Sequence, residues 1–573
     1  MNSAQMVARA HGDAPCDILL RGAQVVNVFT GDIQQVDVAI ADGFVVGVGD
    51  GYEAAEQIDV SGRFLCPGLI DAHMHLESTQ VTLPEFARAV VPRGVTACLL
   101  DPHEIANVHG IAGIDYLLQS RQGVPLQVFI MAPSCVPATD METSGARLKA
   151  ADIRTLLQRE GILGLGEMMN YPGVIYGDPE VLAKLEAARE MDAPIDGHAP
   201  GVTGADLCAY IAAGCLSDHE CTQAAEADEK LARGMYVYLR EGSSARNMAD
   251  LVPAVTPANA RRCCLCTDDR HPGDLASEGG VDFALRRAVQ EGIEPVQAVQ
   301  MATLNAAERF GLTRRGWGAI APGYRADIVV LQDLEQFDAD QVFIGGQLVA
   351  RDGEMAVDLP QPPQPPPDAI NIGWDSFSGL DIPAEGRTIR VIGLQEHQVI
   401  TEHLTMEPTV ASGCAVSDPD RDLLKLAVFE RHHATGNVGL AFVTGLGLKE
   451  GAIASSVAHD SHNIVVAGVS DADMLAAVRA IERAGGGQVA VCDGEVVAML
   501  MLPIAGLMSD RPLDKIIGQV QALHQAAITL GATFSQPFMA LSFLALGVIP
   551  KLRLTDLGLV DVEAFKQVSL WAD

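Results

Sequence analysis

The residues of this sequence best suited to chemistry are histidines and acidic residues that follow apolar runs. The stretch GLIDAHMHLEST places His73 and His75 two positions apart, after the apolar Leu69 and Ile70. In an extended chain, side chains at positions i and i+2 point to the same side. The two imidazoles are therefore expected to project together from a strand end, which suits a metal ion better than a packed core.

Further polar groups follow comparable apolar runs later in the chain. They are Asp101, His103 and Glu104 in DPHE, Glu167 in GLGEMMN, His198 in DGHAP, His219 in SDHE, and Asp268 and Asp269 in CTDD. Each alone is a weak signal, because a single histidine or glutamate after a strand is usually hydrogen-bonded or solvated. Together, four imidazoles and two carboxylates make a mixed nitrogen and oxygen ligand set. Such a set suits two divalent ions about 3.5–4 Å apart, with Glu167 as the bridging ligand.

Eight apolar runs, separated by stretches of helical periodicity, supply the strands that would position these groups. The runs are Leu69–Asp71, Val95–Leu100, Gln127–Ala132, Ile162–Glu167, Pro194–His198, Cys215–His219, Tyr236–Glu241 and Arg262–Asp269. Eight strands with intervening helices over about 250 residues predict a (β/α)8 TIM barrel, in which the C-terminal strand ends share one face. A doubly wound parallel sheet is the alternative. Polar residues at so many strand ends favour the barrel.

The segments around this region define the predicted domain organisation. Alternating strand patterns on both sides predict a composite β-sandwich of residues 1–66 and 316–358, which flanks the barrel at 67–315. The sequence PQPPQPPP lies in a stiff, extended linker at 359–368. A separate α+β C-terminal domain is expected at 369–573. The predicted fold class is therefore α/β with two accessory units.

Composition and charge exclude several classes of function. The 573 residues carry 39 basic and 74 acidic side chains, a formal net charge of −35. This balance argues against nucleic acid and anionic membranes as partners. The N-terminus has no apolar core of signal-peptide length and no apolar run is long enough to span a bilayer, so we expect a cytoplasmic protein. Most of the twelve cysteines are expected to be reduced and structural; RCCLC lacks the CxxC spacing of a metal site.

Long sequence words resemble a known family. The ligand pattern and the split sandwich resemble the amidohydrolase superfamily. Within it, the words PGLIDAHMHLES, DPHEIANVHG, GLGEMMNYPGVI, DGHAPGVTG, SDHE and CTDDRHP closely resemble the bacterial adenine deaminases. The resemblance covers nearly the whole chain, including the segment after the proline-rich linker.

The resemblance implies a role for each matching residue. The metal ligands would be His73, His75, Glu167, His198, His219 and Asp268. Glu167 stands where related cyclic amidases carry a carboxylated lysine, and Asp268 resembles a ligand that also shuttles protons. Two divalent ions are expected; mixed ligands admit Mn²⁺, Fe²⁺ or Zn²⁺, and the resemblance favours the first two.

The activity implied is hydrolysis of adenine to hypoxanthine and ammonia, a step of purine salvage. Metal-bound hydroxide would attack C6 while Asp268 transfers the proton to the departing amine. His103, Glu77, Glu241 and Asp269 are unranked candidates for protonating N1 or holding the base, and His103 is equally a candidate for supporting a metal ligand. Rival substrates are an N6-substituted adenine or a cyclic amide; a non-catalytic scaffold is disfavoured because all six ligand positions are filled.

The partners expected are therefore a small purine base and further copies of the chain, as a homodimer or higher homo-oligomer. One motif beyond the linker bears on the site as well. SSVAHDSHNIVVAG contains His459, Asp460 and His462 just before an apolar strand. This segment is either a loop that closes over the barrel mouth, from the same chain or a partner, or a polar turn that satisfies its own hydrogen bonds.

Overall fold

The computed structural model describes residues 2–396 and 399–573. A short helix, Ser3–His11, precedes a nine-stranded sheet that draws on two separate segments of the chain. The segments join where Val329 pairs antiparallel with Cys66. The strands are Cys16–Asn27, Asp32–Ala41, Phe44–Val48, Ala54–Asp59 and Phe64–Pro67 from the first segment, and Ile328–Leu331, Ala339–Ile344, Gln347–Arg351 and Glu354–Met355 from the second.

Nine parallel strands lie between these segments, and each of the eight predicted apolar runs overlaps at least one of them. In chain order they are β1 Leu69–His75, β2 Val95–Leu100, β3 Gln127–Ala132, β4 Ile162–Met168, β5 Ile195–Gly197, β6 Ser217–Asp218, β7 Tyr236–Arg240, β8 Cys263–Cys266 and β9 Asp268–Asp269. One half-barrel sheet has the order β5-β4-β3-β2-β1-β9, and a second sheet has the order β6-β7-β8. Parallel strands are covered on both faces, which explains why β2 is an unbroken buried run, VTACLL.

Helices follow the parallel strands and cover their outer faces. They are Leu83–Val90, His103–His109, Ile111–Ser120, Ala150–Leu157, Tyr171–Ile175, Pro179–Glu190, Gly204–Ala212, Ala224–Ala232, Met248–Leu251, Pro272–Ser277, Val281–Gln290, Pro295–Met301 and Leu304–Arg309. Local chemistry fixes several starts. Asp178, for example, caps its helix by accepting hydrogen bonds from the N–H groups of Glu180 and Val181.

The segment after residue 368 forms an eight-stranded sheet with helices of its own. Residues 359–368, the predicted linker, carry neither helix nor strand. In sheet order the strands are Glu402–Met406, Ile389–Gly393, Val438–Thr444, Leu424–Phe429, Ile464–Gly468, Ala452–Ser455, Gly487–Cys492 and Glu495–Met501. The helices are Asp471–Ala484, Leu513–Thr529 and Pro537–Phe543, and smaller sheets contain Thr409–Ala411 with Cys414–Val416, and Leu552–Thr555, Gly558–Asp561 and Lys566–Val568.

The main apolar core joins the central and C-terminal segments. One buried cluster includes Ile105 and Ala106 of the central segment together with Leu541 and Leu544 of the C-terminal one. All twelve cysteines are free thiols. Within the described ranges, no helix combines the length and apolar character needed to cross a bilayer.

Candidate active site

The C-terminal ends of the parallel strands bring the six predicted ligands together. His73 and His75 lie at the end of β1, and Glu167 is the last residue but one of β4. His198 and His219 directly follow β5 and β6, and Asp268 begins β9. All are buried except His198, whose side chain is 23% exposed. Residues scattered over about two hundred positions therefore meet at one end of the sheets.

The two imidazoles of β1 face each other as the i, i+2 spacing predicts. Their Nε2 atoms lie 3.2 Å apart. Each ring is oriented through its other nitrogen: His73 Nδ1 lies 2.9 Å from Asp196 Oδ2, and His75 Nδ1 lies 2.9 Å from the carbonyl oxygen of Asp101. Acceptors at both Nδ1 atoms favour the tautomers that leave both Nε2 atoms free to bind a metal.

Glu167 lies between two groups of imidazoles and addresses each with a different oxygen. Its Oε1 lies 3.7 Å from His73 Nε2 and 3.3 Å from His75 Nε2. Its Oε2 lies 2.7 Å from His198 Nδ1 and 3.3 Å from His219 Nε2. The carboxylate thus has the placement that a bridging ligand requires.

A glycine next to Glu167 leaves room for the side chain of Asp101, which directly follows β2. The backbone N–H of Glu167 donates to Asp101 Oδ2 at 2.7 Å. A Cβ at Gly166 would meet that same oxygen at 2.1 Å, so this position excludes any side chain. Gly166 and Asp101 together fix the backbone that carries the bridging carboxylate.

Asp268 closes the cluster from the side of β9. Its Oδ1 lies 3.1 Å from His75 Nε2, and its Oδ2 accepts a hydrogen bond of 2.7 Å from Arg240. The residue has a φ of 58°, a left-handed conformation in which aspartate is among the better tolerated residues. Burial raises the pKa of Asp268, but the opposing effect of Arg240 and His75 is larger. The pKa of Asp268 is therefore well below its usual value.

The field of the buried carboxylates attracts positive charge to the imidazoles. Burial lowers the pKa of His73, but Asp196 and Glu167 raise it to well above its ordinary value. His75 responds in the same way to Asp268 and Glu167. A divalent cation would be drawn by the same field.

The donor set fits metal binding. Several overlapping groups have potential ligand atoms within 4.8 Å of one another, among them His73, Glu167 and His219, and His73, His75 and Asp268. Imidazole nitrogen and carboxylate oxygen suit divalent transition metals, and these two groups share His73. The residues therefore fit a centre of more than one ion.

His103 extends this cluster away from β1. Within the described part of the chain, its Nδ1 is buried without a hydrogen-bond partner, and it lies 3.4 Å from Glu167 Oε1. Its Nε2 lies 4.0 Å from Glu104 and 4.0 Å from Asp460. Burial lowers the pKa of His103, but nearby carboxylates, Asp101 first, raise it to about 10.

Two of the three candidate base-binding residues lie near this end of the cluster. Glu77 Oε1 accepts a hydrogen bond from the N–H of Ile105, while its Oε2 is buried and has no hydrogen-bond partner in residues 2–396 and 399–573. Burial, and then the neighbouring Glu104, raise the pKa of Glu77 to about 7. Asp269 accepts a hydrogen bond of 2.5 Å from Ser78.

The third candidate, Glu241, has its contacts elsewhere. Its Oε1 accepts a hydrogen bond from the N–H of Met248, and it lines a separate cavity of about 300 Å³ with Arg246 and Phe283. The preceding residue, Arg240, is the one that reaches Asp268. Glu241 lies just after the end of β7 and forms a bridge with Arg246, away from the contacts of Arg240.

Sequence reasoning missed the residues that support the ligands. Asp196 orients His73, and Arg240 joins Asp268 to Glu220, whose Oε1 is 3.5 Å from His219 Nε2. The signal was available for Asp196, which lies two positions before His198 in DGH and so shares its side of the strand. Glu220 was visible in SDHE, but nothing in that word shows that Arg240 pairs with it.

The histidine-rich loop beyond the linker contacts this end of the central segment within one chain. His459 Nδ1 lies 2.5 Å from Glu104 Oε1, and His462 Nε2 lies 3.6 Å from Glu104 Oε2. Of the two expectations for this loop, the structure supports contact with the strand-end face rather than a self-contained turn.

The sequence comparisons with known proteins agree on one family. Residues 64–349 match the sequence model of the amidohydrolase family, and residues 398–566 match that of the adenine deaminase C-terminal domain. An adenine deaminase of Desulfatibacillum aliphaticivorans is 51% identical over 573 residues, covering 99% of both chains. One from Methanothrix thermoacetophila is 47% identical over 574 residues, covering 100% of both. Among solved structures, a triazine hydrolase variant matches 60% of this chain and 96% of its own, with a TM-score of 0.47 and 16% identity.

Proposed function

Because this chain belongs to the adenine deaminase family, we propose that it hydrolyses adenine to hypoxanthine and ammonia at the buried cluster around Glu167. Water supplies the oxygen that replaces the amine at C6. Its two hydrogens leave the water, one ending on the departing ammonia and the other on the purine ring.

The observation that carries the mechanism is the position of Glu167 between two groups of imidazoles. One oxygen faces His73 and His75, and the other faces His198 and His219. These five residues and Asp268 would hold two divalent ions, Mn²⁺ or Fe²⁺ by family resemblance and Zn²⁺ by ligand chemistry. A divalent ion in such a site lowers the pKa of water to about 7 and so makes hydroxide available at neutral pH.

Asp268 is the residue that we expect to move the proton. Arg240 holds its Oδ2, which leaves Oδ1 beside the imidazoles to accept a proton from the attacking water. Asp268 would then transfer that proton to the departing amine. Arg240 would thus fix the position of Asp268 and, by lowering its pKa, keep it in the ionised form that can accept a proton.

The purine would be held at the end of the cluster where His103, Glu77 and Asp269 lie. The free Oε2 of Glu77 and the free Nδ1 of His103 are buried polar atoms that a polar ligand could satisfy. The position of Glu241 against Met248 supports a role outside base binding. Protonation of N1 is assigned to this group as a whole.

We infer that the two parallel sheets form the halves of a complete (β/α)8 barrel. Strands β5 and β6 approach so closely that a Cβ at Gly197 would lie 2.0 Å from the carbonyl oxygen of Ser217. On the other side, Thr267 donates two hydrogen bonds to Asp71 of β1. These contacts support closure of a barrel at 67–315. The shared nine-stranded sheet supports a flanking domain of 1–66 with 316–358, and the eight-stranded sheet supports a further domain at 369–573.

The cellular setting follows from two further features. Twelve free thiols suit a reducing compartment, which supports a cytoplasmic location. Val496 and Val497 are exposed on Glu495–Met501, the last strand of its sheet. An apolar edge strand is a common site of association, which supports a homodimer or higher homo-oligomer.

The activity is tested with protein purified from cells grown with added Mn²⁺ or Fe²⁺ and then incubated with adenine. We expect hypoxanthine and ammonia in equal amounts and about two metal ions per chain. Protein stripped by a chelator should lose activity and regain it on reloading. A parallel panel of N6-methyladenine and a cyclic amide separates the rival substrates: faster turnover of either would overturn the assignment to adenine.

A further inference from the structure

The loop that follows the strand Ala452–Ser455 in the C-terminal segment is buried against the central segment. His459, Asp460 and Asn463 are 8%, 4% and 3% exposed. Polar side chains are rarely buried so completely without a partner. Their contacts therefore indicate what the loop does.

Two kinds of contact fix the loop in place. The His459 ring pairs with Glu104 through Nδ1 at 2.5 Å and stacks on Phe543 with ring centroids 4.7 Å apart. Asn463 Nδ2 donates a hydrogen bond of 2.8 Å to the carbonyl oxygen of Thr143. The loop is thus attached to the central segment on both sides of Asp460.

Asp460 has no such anchor, although it lies between these attachments. Its Oδ2 is buried without a hydrogen-bond partner among the described residues, and its Oδ1 lies 4.0 Å from His103 Nε2. The opposite nitrogen of that imidazole faces Glu167 Oε1 at 3.4 Å. The imidazole ring of His103 therefore lies between the free carboxylate of Asp460 and Glu167, the proposed bridging ligand.

A carboxylate held in this way is able to accept a hydrogen bond from a bound ligand. Leaving a buried acceptor unsatisfied is costly, and more so for a charged group. Glu77 Oε2 and Glu142 Oε1 are likewise buried without partners among the residues that the structure describes, so further carboxyl oxygens of this region could bind a polar ligand. A ligand that carries N–H groups matches them, whereas a ligand of acceptors alone does not.

We propose that Asp460 of the C-terminal segment binds the substrate by accepting a hydrogen bond from an N–H group of the purine beside C6, and that His459, held by Glu104, positions it. This inference rests on the proposed deaminase activity and deepens it. Adenine offers N–H donors at its exocyclic amine and, in one tautomer, at N7. The site would therefore be completed by a residue outside the segment that provides the metal ligands.

The first test compares Asp460→Asn and Asp460→Ala with the parent, with Asp420→Asn as the control. Asp420 is an exposed aspartate of the same segment. Metal content, melting temperature, kcat and KM for adenine are measured, along with binding of the product hypoxanthine by equilibrium dialysis. Loss of one hydrogen bond to a charged group is expected to raise KM about tenfold or more, with metal content unchanged.

The second test asks whether His459 acts through Asp460. His459→Ala is expected to raise KM in the parent background but to add less than about twofold when Asp460 is already alanine, because a positioning residue has nothing left to position. Independent, multiplying effects would show that His459 has only a structural role and would overturn that part of the inference.

The outcomes separate this inference from the function on which it rests. A parent that forms no hypoxanthine overturns both. A parent that deaminates adenine, together with Asp460 variants whose KM stays within twofold of the parent, overturns the role of Asp460 alone. Asp460→Asn covers the case in which the alanine variant is unstable, because it keeps the volume of the side chain while it removes the charge and replaces one acceptor oxygen with an N–H donor.

Discussion

At the scale of single residues, Glu167 is the side chain on which the arrangement of the others depends. Its two oxygens lie within 3.7 Å of imidazole nitrogens from three different strand ends. Both oxygens are used, so an amide in its place would offer a donor where an acceptor is needed. Substitution here is therefore predicted to affect both halves of the centre.

We predict that Glu167→Gln loses at least one metal ion per chain. Turnover of adenine should fall by more than about 100-fold, beyond the range typical of residues that merely support a ligand. Metal analysis and a hypoxanthine assay measure the two effects, and a far-ultraviolet spectrum checks the fold. A variant that retains two ions and the parental rate would contradict the bridging role.

Asp196 offers a finer test, because it does not face the proposed metals. It accepts hydrogen bonds from Ser217 and Tyr238 while facing His73 Nδ1. We predict that Asp196→Asn weakens metal affinity by about 10–100-fold, since the amide no longer favours the same imidazole tautomer. Titration of stripped protein with Mn²⁺ measures this change.

The matched control for that variant is Tyr238→Phe. It removes a hydroxyl 3.1 Å from Asp196 Oδ1 but leaves the carboxylate and its contact with His73. Metal affinity should then stay within about threefold of the parent, a loss smaller than that expected for an orienting carboxylate. Equal losses in the two variants would point to general loosening of the site rather than to tautomer control.

These residues also show what could be predicted from the sequence. Strand geometry predicts that His73 and His75, at positions i and i+2, point to the same side. It predicts the same for Asp196 and His198. Arg240 carries no local signal, because its partners, Glu220 and Asp268, are 20 and 28 positions away in the chain. Contacts between strand ends depend on how far each side chain reaches, which periodicity does not encode.

At the scale of elements, the helix Ala224–Ala232 holds two strand ends in register through one lysine. Lys230 Nζ donates to Asp218 Oδ2 at 2.9 Å and to the carbonyl oxygen of Ala199 at 2.7 Å. Those partners adjoin the ligands His219 and His198. Burial raises the pKa of Asp218, but Lys230 lowers it by more than burial raises it. The carboxylate therefore stays ionised.

We predict that Lys230→Met destabilises the protein by about 3–5 kcal/mol, because it leaves Asp218 as an unpaired buried charge. Urea unfolding of metal-loaded protein measures the change. The control is Lys515→Met at an exposed pair, which should cost less than about 0.5 kcal/mol. Similar values for the two variants would show that the buried pair contributes nothing beyond a surface contact.

The strands themselves were predicted well because each is an apolar run between helical stretches. What the runs do not contain is their pairing. The short strands β6 and β9 have two residues each, and their place in the sheets depends on neighbours such as Asp71 and Gly197. The two segments that flank the central region show only similar strand patterns in the sequence. The pairing of Val329 with Cys66 is set by the tertiary structure and cannot be read from those patterns.

At the scale of the whole molecule, the central and C-terminal segments behave as one unit. Thr143 donates two hydrogen bonds to Asp556, and the N–H of Ser509 donates to the carbonyl oxygen of Gln80. Apolar side chains from both segments share the main core. The proline-rich linker therefore joins the two segments covalently, while the buried interface holds them against each other.

This leads to a prediction about cutting the linker. A protease site is placed within residues 361–366, which carry no helix or strand, and the folded, metal-loaded protein is cleaved there. The two pieces should stay together in size-exclusion chromatography and keep kcat and KM for adenine within about twofold of the uncut protein, because core burial and hydrogen bonds across the interface persist. Separation of the pieces would contradict a shared core. Pieces that stay together but lose adenine binding would show instead that an intact linker holds the loop around Asp460 in place.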